Sequence, residues 1–329
     1  MAIFKKQFIY RLMLFIVYTL LTPSFNFAQR DSTKNVKEFI RKNFIQPYLG
    51  TFNRSIVFLS NEKNEEKYGL RFSPNSAAFA GVSVKYKKLS IYAETLIPNT
   101  QKVDRNKTTV RSSAIFLHHF TQKWGITGFA SWNKGLLMYI PKNEMYEDRK
   151  DLRTITVGAH FYNILNGKKF SYTAANSMTK LQTKSNGSFM LMTTPVFRRF
   201  YSSEGIIPEK IRQHHLTGTS SPCKSIQFIS LQSKPGYIYN FVFDKGRYFI
   251  SPAIYAGCGI ENHTVITEAE KHNDFNFNTG FRAKLVTGIN SEKFFFSLEL
   301  LTDRNTAYLY KTNIKNNYTE MSCNLGVRF

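Results

Sequence analysis

Two pairs of adjacent histidines, His118-His119 and His214-His215, first suggest chemistry, because neutral imidazole is a common metal ligand. Neighbouring residues on a strand point to opposite faces, so His118 and His119 cannot line one site there. His214-His215 has no cysteine beside it, and Glu204 and Glu209 stand at no ligand spacing. Both pairs read as solvated histidines, and no metal or cofactor is expected. A lipolytic site needs Ser, His and an orienting acid or amide at one depth. His160 and Ser188 are the available residues, no nucleophile motif surrounds Ser188, and the chain reads as no enzyme. Cys223, Cys258 and Cys323 are too scattered for a disulfide framework or a thiolate zinc site. Cys258 and Cys323 read as small apolar residues on strands, Cys323 facing lipid.

The remaining signal is positive charge. The 329 residues carry 45 Lys+Arg against 22 Asp+Glu, a net +23. Arg198, Arg199, Arg247, Arg282 and Lys284 are candidates to bind phosphate or to give a lumen an anion preference, since guanidinium matches phosphate oxygens. Solvated lumen and rim positions are the plain alternative. Nucleic acid is not an expected partner, because the aromatics follow strand spacing instead of forming a stacking platform and the chain reads as exported.

Export rests on the N-terminus. Lys5, Lys6 and Arg11 precede the apolar run Leu12 to Leu21, Pro23 breaks it, and Asn26-Phe27-Ala28 before Gln29 fits a cleavage site. Residues 1–28 therefore read as a cleaved signal peptide ending at Ala28, with Gln29 as the new N-terminus. No cysteine follows the cut to accept a lipid. Removal leaves a net +20, because this segment holds three basic residues and no acidic ones.

Beyond it no apolar run reaches helix-span length, and the mean hydropathy is −0.31. Short alternating segments recur instead. Val82, Val84 and Tyr86 share one face; so do Tyr237, Tyr239, Phe241 and Phe243 before the turn Asp244-Lys245-Gly246. Phe275, Phe277, Phe281, Ala283, Leu285 and Ile289 keep one parity against Asn276, Asn278, Arg282 and Lys284. That pattern suits a tilted membrane strand with lipid on one face and water on the other. At the end, Met321, Cys323, Leu325, Val327 and Phe329 alternate with Glu320, Ser322, Asn324, Gly326 and Arg328. A last amphipathic strand closing on Phe resembles the assembly signal of bacterial outer-membrane barrels. In a bilayer core every backbone polar group must be paired internally, so a spanning sheet must close.

The predicted fold is therefore all-β, a transmembrane antiparallel β-barrel of about 12 strands, with 14 as runner-up. Candidate strands include 66–73, 168–177, 236–243 and the run from 247 to the C-terminus. The short 66–73 run is the one to drop, and 54–60 or 224–232 are the additions that would give fourteen. Residues 29–53 read as a periplasmic lead-in, with Val36, Phe39, Ile40 and Phe44 at helical spacing. Residues 54–329 read as the barrel, with a long irregular insert at 198–235 able to constrict or cover its mouth.

Leu70-Arg-Phe-Ser-Pro-Asn-Ser76 followed by Gly81-Val-Ser-Val-Lys-Tyr86 resembles the Bacteroidota cell-envelope family known as domain of unknown function 4421. Phe170-Ser-Tyr-Thr-Ala-Ala175 and Gln182-Thr-Lys-Ser-Asn-Gly-Ser-Phe189 resemble a second segment of it. The resemblance implies an outer-membrane barrel and brings no catalytic or ligand residues. The expected function is passage or binding of small solutes, anions among them, through a basic lumen gated by 198–235. A non-conducting structural or assembly component is the alternative, and a lipid-modifying enzyme ranks third. Outer-membrane lipid, lipopolysaccharide and the barrel-assembly machinery are the expected partners.

Overall fold

The computed structural model describes residues 35–60, 69–98, 100, 110–141, 145–207, 223–308 and 312–329. The segment 1–28 read as a signal peptide, the Ala28-Gln29 bond and His214-His215 lie outside the described residues.

The strands are β1 (Val36–Glu38), β2 (Phe44–Ser60), β3 (Leu70–Ser73), β4 (Ala78–Tyr86), β5 (Leu89–Leu96), β6 (Arg111–Phe120), β7 (Trp124–Ile140) and β8 (Met145–Ile164). After a single helical turn, α1 (Tyr172–Asn176), come β9 (Lys180–Gln182), β10 (Asn186–Tyr201), β11 (Cys223–Phe243) and β12 (Tyr248–Thr267). The chain ends with β13 (Lys271–Asn290), β14 (Phe294–Tyr308) and β15 (Thr312–Arg328). Every pairing is antiparallel. The sheet runs β2, β4, β5, β6, β7, β8, β10, β11, β12, β13, β14, β15 and closes where β15 returns to β2, from Thr312 beside Ser60 to Arg328 beside Phe44. That is a closed barrel of 12 strands, the expected number.

The short turns at 87–88, 121–123, 244–247 and 291–293 share one end with the start of β2 and the finish of β15. We call this end inner, because periplasmic turns of such barrels are short. At the outer end the wall changes. β4, β5 and β6 stop early, and β3 pairs with β2 through Ile56 to Phe58 and with β7 through Leu137 to Tyr139. One short strand there replaces three.

Alternation sets the two faces as expected. Val82, Val84, Tyr86, Tyr237, Phe241, Phe243, Phe275, Phe277 and Leu285 are exposed on the outside, as are Met321, Cys323, Leu325, Val327 and Phe329. Gly326 faces inward and leaves the space that the Phe295 ring fills.

Three boundary readings are corrected. Among the described residues, 35–44 contain no α-helix; Val36–Glu38 is instead strand β1, paired with β9, and the barrel begins at Phe44, ten residues before 54. Residues 168–177 are no strand, because they hold α1, N-capped by Ser171 Oγ accepting from the Ala174 N–H. The irregular insert is not 198–235: residues 198–201 complete β10 and 223–235 begin β11, paired with each other from Arg198–Phe228 to Tyr201–Ser225. Only 202–222 connects them.

Candidate functional site

The interior has three levels, and the two ends are packed. At the outer end Ile56 and Phe58 of β2, Leu70 and Phe72 of β3, Leu136 and Met138 of β7, Phe200 of β10 and Ile226 of β11 form one buried apolar cluster. The rings of Phe58, Phe72 and Phe200 meet edge-on at 5.6 to 6.5 Å between centroids. Residues 202–207 turn into this mouth and add Ile206 and Ile207. Buried Arg149 holds them there, donating to the Ile206 carbonyl and Ser202 Oγ at 3.1 Å and to the Gly205 carbonyl, while pairing with Asp151 at 3.1 Å.

At the inner end the segment between β8 and β10 folds under the barrel as a cap. Phe170, Tyr172 and Ala175 pack against Tyr162, Met190, Met192, Ile238 and Tyr255 of the wall. Met178 joins Phe44, Phe249, Val286 and Phe295. Gly246, at φ +97°, brings the inner turn against the Gln182 carbonyl of β9, where a Cβ would collide. Asn290 donates to the Lys180 carbonyl at 3.0 Å. The closest tie is Arg328, which is 2% exposed. Its guanidinium donates to the Met178 carbonyl of the cap, to Asn290 Oδ1 at 2.6 Å and to the Phe294 and Ser291 carbonyls, and it lies 3.9 Å from the Phe39 ring centre.

Between the two packed ends lies a polar chamber of about 350 Å³, within the range of small-molecule sites. Ile56, Phe200, Phe228 and Ile314 bound it on the outer side, and Tyr172, Asn176, Ser177 and Met178 on the inner side. Arg54, Arg198, Lys234, Arg282 and Lys284 face it together with Glu94, Glu261, Glu299, Asp303 and Glu320. The wall thus carries five bases and five acids among the described residues, a formal balance where a basic lumen was expected.

Most of these charges are partnered. Asp303 bridges Lys234 at 3.3 Å and Arg282 at 3.2 Å, and Lys234 also donates to Asn305 Oδ1 at 2.8 Å. Arg282 Nη1 lies 3.2 Å from His160 Nε2, whose Nδ1 in turn lies 2.9 Å from Thr194 Oγ1. An arginine can only donate, so Nε2 accepts and Nδ1–H donates to the threonine. Lys284 pairs with Glu299 at 2.6 Å, and the Arg54 guanidinium lies 4.8 Å over the Tyr318 ring, whose hydroxyl bonds Glu320. Two lining atoms, His118 Nδ1 and Asn133 Oδ1, are buried with no hydrogen-bond partner among the described residues. Buried polar atoms are rarely left so.

The basic candidates separate by place. Arg198, Arg282 and Lys284 reach the chamber, Arg198 with both Nη atoms 2.8 Å from the Asn316 amide oxygen. Arg199 points outward near the outer rim, with Nε 3.2 Å from Ser225 Oγ. Arg247 sits in an inner turn beside Tyr248. His118 lines the chamber stacked on Tyr92, while His119 packs on Trp124, on opposite faces as the strand rule requires. Ser188 Oγ is occupied by the Asn166 N–H and the Phe189 carbonyl, six positions along β10 from the threonine that meets His160, so the two are no catalytic pair. Asp303, Lys234 and Glu320 were missed. Their signal was available: a charged residue at inward parity in the middle of a long strand.

A family model described as domain of unknown function (DUF4421) matches residues 29–329. No curated protein sequence matches the chain. Among solved structures the chain is similar to the outer membrane protease OmpT from Escherichia coli, at 9% identity and TM-score 0.39, covering 88% of this chain and 98% of that one. It is similar to the beta domain of the Bordetella autotransporter BrkA, at 8% identity and TM-score 0.37, covering 87% and 99%. It is also similar to the P. putida toluene transporter TodX, at 7% identity and TM-score 0.29, covering 88% and 90%. The reading of the chain as no enzyme is corrected by the first of these. A protease stands among the similar barrels, so the fold gives no ground for excluding enzyme chemistry, and similarity at this level assigns none.

Proposed function

For a chain that belongs to the domain of unknown function 4421 family, with residues 29–329 matched, we propose an outer-membrane barrel that holds a small, polar, overall neutral solute in a chamber closed at both ends. The apolar exterior and the closed sheet support the membrane location. One observation carries the reading: a chamber of about 350 Å³ with five acids and five bases on its wall, between an apolar outer closure and a tied inner cap. A lumen of balanced charge favours a solute with both signs or none over an anion. Free passage does not follow from the barrel, because side chains fill the lumen at both ends.

The test is conductance of the full chain refolded into a planar bilayer. The expected result is no steady channel in the wild type. Replacing 168–184 with a Gly-Ser linker of equal length and opening the outer closure with F58A/F72A/F200A is expected to give steps of little charge selectivity. Stable, strongly anion-selective steps from the wild type would overturn the reading, and so would a silent variant that is opened at both ends and has inserted.

A further inference from the structure

Four cations stand in register on the outside of adjacent strands. Arg111 of β6 lies opposite Lys134 of β7, Lys134 opposite Arg153 of β8, and Arg153 opposite Tyr201 of β10, with Arg199 two residues further along β10. All four are exposed. Arg153 Nη1 donates to Tyr201 Oη at 2.7 Å. The guanidinium carbons of Arg153 and Arg199 lie 5.4 and 5.5 Å from the centre of that one ring, and so within about 11 Å of each other. With strands about 4.8 Å apart, the row from Arg111 to Tyr201 is roughly 15 Å long.

No ion pair among the described residues neutralises any of the four. The carboxylate nearest along β8, Asp151, is taken by buried Arg149 and by Ser202. Like charges opposite one another on neighbouring strands destabilise a sheet. A row of this kind is stable where an anion lies along it.

The height of the row identifies that anion. Immediately below it the outer surface turns apolar, at Trp132, Ile155, Phe197 and Ile229. From Lys134 down to Trp124 at the inner turn is ten residues of β7, which at about 3.3 Å per residue and a tilt near 40° is roughly 25 Å, the height of the apolar band of such barrels. The cations therefore lie at the outer boundary of the hydrocarbon, with an indole at the interface beneath them. Groups at that level belong to lipids.

We propose that Arg153, Arg199 and Lys134, with Arg111 at the flank, form a site for the phosphates of an outer-leaflet lipid headgroup. This rests on the outer-membrane reading above. Arginine suits the task because its planar fork meets two phosphate oxygens at once. Tyr201 positions both guanidinium groups, and the acyl chains run down over Trp132, Ile155 and Phe197.

The experiment measures binding of diphosphoryl lipid A to the detergent-solubilised full chain, beside dephosphorylated lipid A and inorganic pyrophosphate. Wild type is expected to hold the diphosphoryl lipid at least tenfold more tightly than R153Q/R199Q, and the dephosphorylated lipid no better than that variant does. A folded double variant, judged by a heat-dependent gel shift, that retains wild-type affinity overturns the site. Pyrophosphate bound as tightly as the lipid overturns the lipid as occupant. Should the double variant fail to show the shift, K134Q alone is read, with an expected threefold loss, and an unchanged affinity overturns the proposal. A wild type that shows no heat shift counts against the membrane barrel itself.

Discussion

Replacing Arg328 with alanine is the sharpest test of the inner closure. Its bonds to Asn290, Ser291 and Phe294 lie within the wall, whereas those to the Met178 carbonyl and the Phe39 ring tie the cap and the N-terminal segment to the last strand. A hydrogen bond from a charged group contributes about 1.5–3 kcal/mol and a cation–π contact about 0.5–2. Loss of those two contacts therefore costs the closed cap about 2–5 kcal/mol, roughly a 30- to 4,000-fold shift toward the open form at 1.4 kcal/mol per tenfold. Two assays read it. Trypsin should cut the refolded R328A variant faster at Lys168, Lys169, Lys180 and Lys184, and the amides of α1 should exchange faster with solvent. Because residue 328 also lies in the strand expected to guide assembly, refolded protein is used, and N290A provides a second route. Asn290 accepts from Arg328 and donates to Lys180, so its loss should act in the same direction with smaller effect. A folded R328A variant whose cap stays as protected as in the wild type would refute the latch.

Three further outcomes are expected. D303A leaves Lys234 and Arg282 buried without their shared carboxylate and should cost about 3–5 kcal/mol in denaturant unfolding, much of it recovered in D303A/K234M; no loss would remove Asp303 as the bridge. The β1–β9 pairing should weaken in acid, because Lys42 and Lys180 hold the Glu38 carboxyl below its ordinary value. Their stabilisation is present above the ordinary glutamate pKa and fades as pH falls through the lowered one; for so exposed a group it is under about 1 kcal/mol, to be read from hydrogen exchange at the Thr183 amide, which bonds the Asn35 carbonyl. Deleting Phe329, exposed at the barrel's inner rim, should lower outer-membrane levels without lowering the stability of refolded protein, and normal levels would exclude it from assembly.

The sequence shows the barrel most clearly at mid-height. There the lumen is polar and the exterior apolar, so β13 and the last half of β15 alternate plainly. At the two closures the interior is apolar as well, and alternation disappears. Phe44, Ile45, Tyr48 and Leu49 place aromatic or aliphatic side chains on both faces of β2, which hides its first half as a lead-in. Leu136 to Ile140 and Cys223 to Leu231 lose the pattern for the same reason, and the second of these made a strand look like an insert. The error at 168–177 runs the other way, since Phe170, Tyr172 and Ala174 keep period two through what is one helical turn. The count of twelve survived because β2 was missed while the cap was taken for a strand. The chamber was partly legible in Arg198, Arg282 and Lys284. Its acids were legible only as charges at inward parity; that Asp303 would bridge Lys234 and Arg282, and Glu299 pair with Lys284, depends on strand register that no single strand shows.

The outer closure also follows from circumference. Barrel diameter grows with strand number. With strands about 4.8 Å apart and tilted near 40°, twelve of them make a cylinder of roughly 24 Å between backbones, and ten make one of roughly 20 Å. Side chains of two facing sheet walls fill about 10 Å. Where β3 replaces β4, β5 and β6 the perimeter drops to ten strands, and phenylalanines from facing walls come close enough to touch. Below that level the wider ring holds them apart, and the space between becomes the chamber. The three-for-one exchange of strands therefore acts as a taper, and with Ile206 and Ile207 filling what the narrower ring leaves, it sets the outer limit of the chamber.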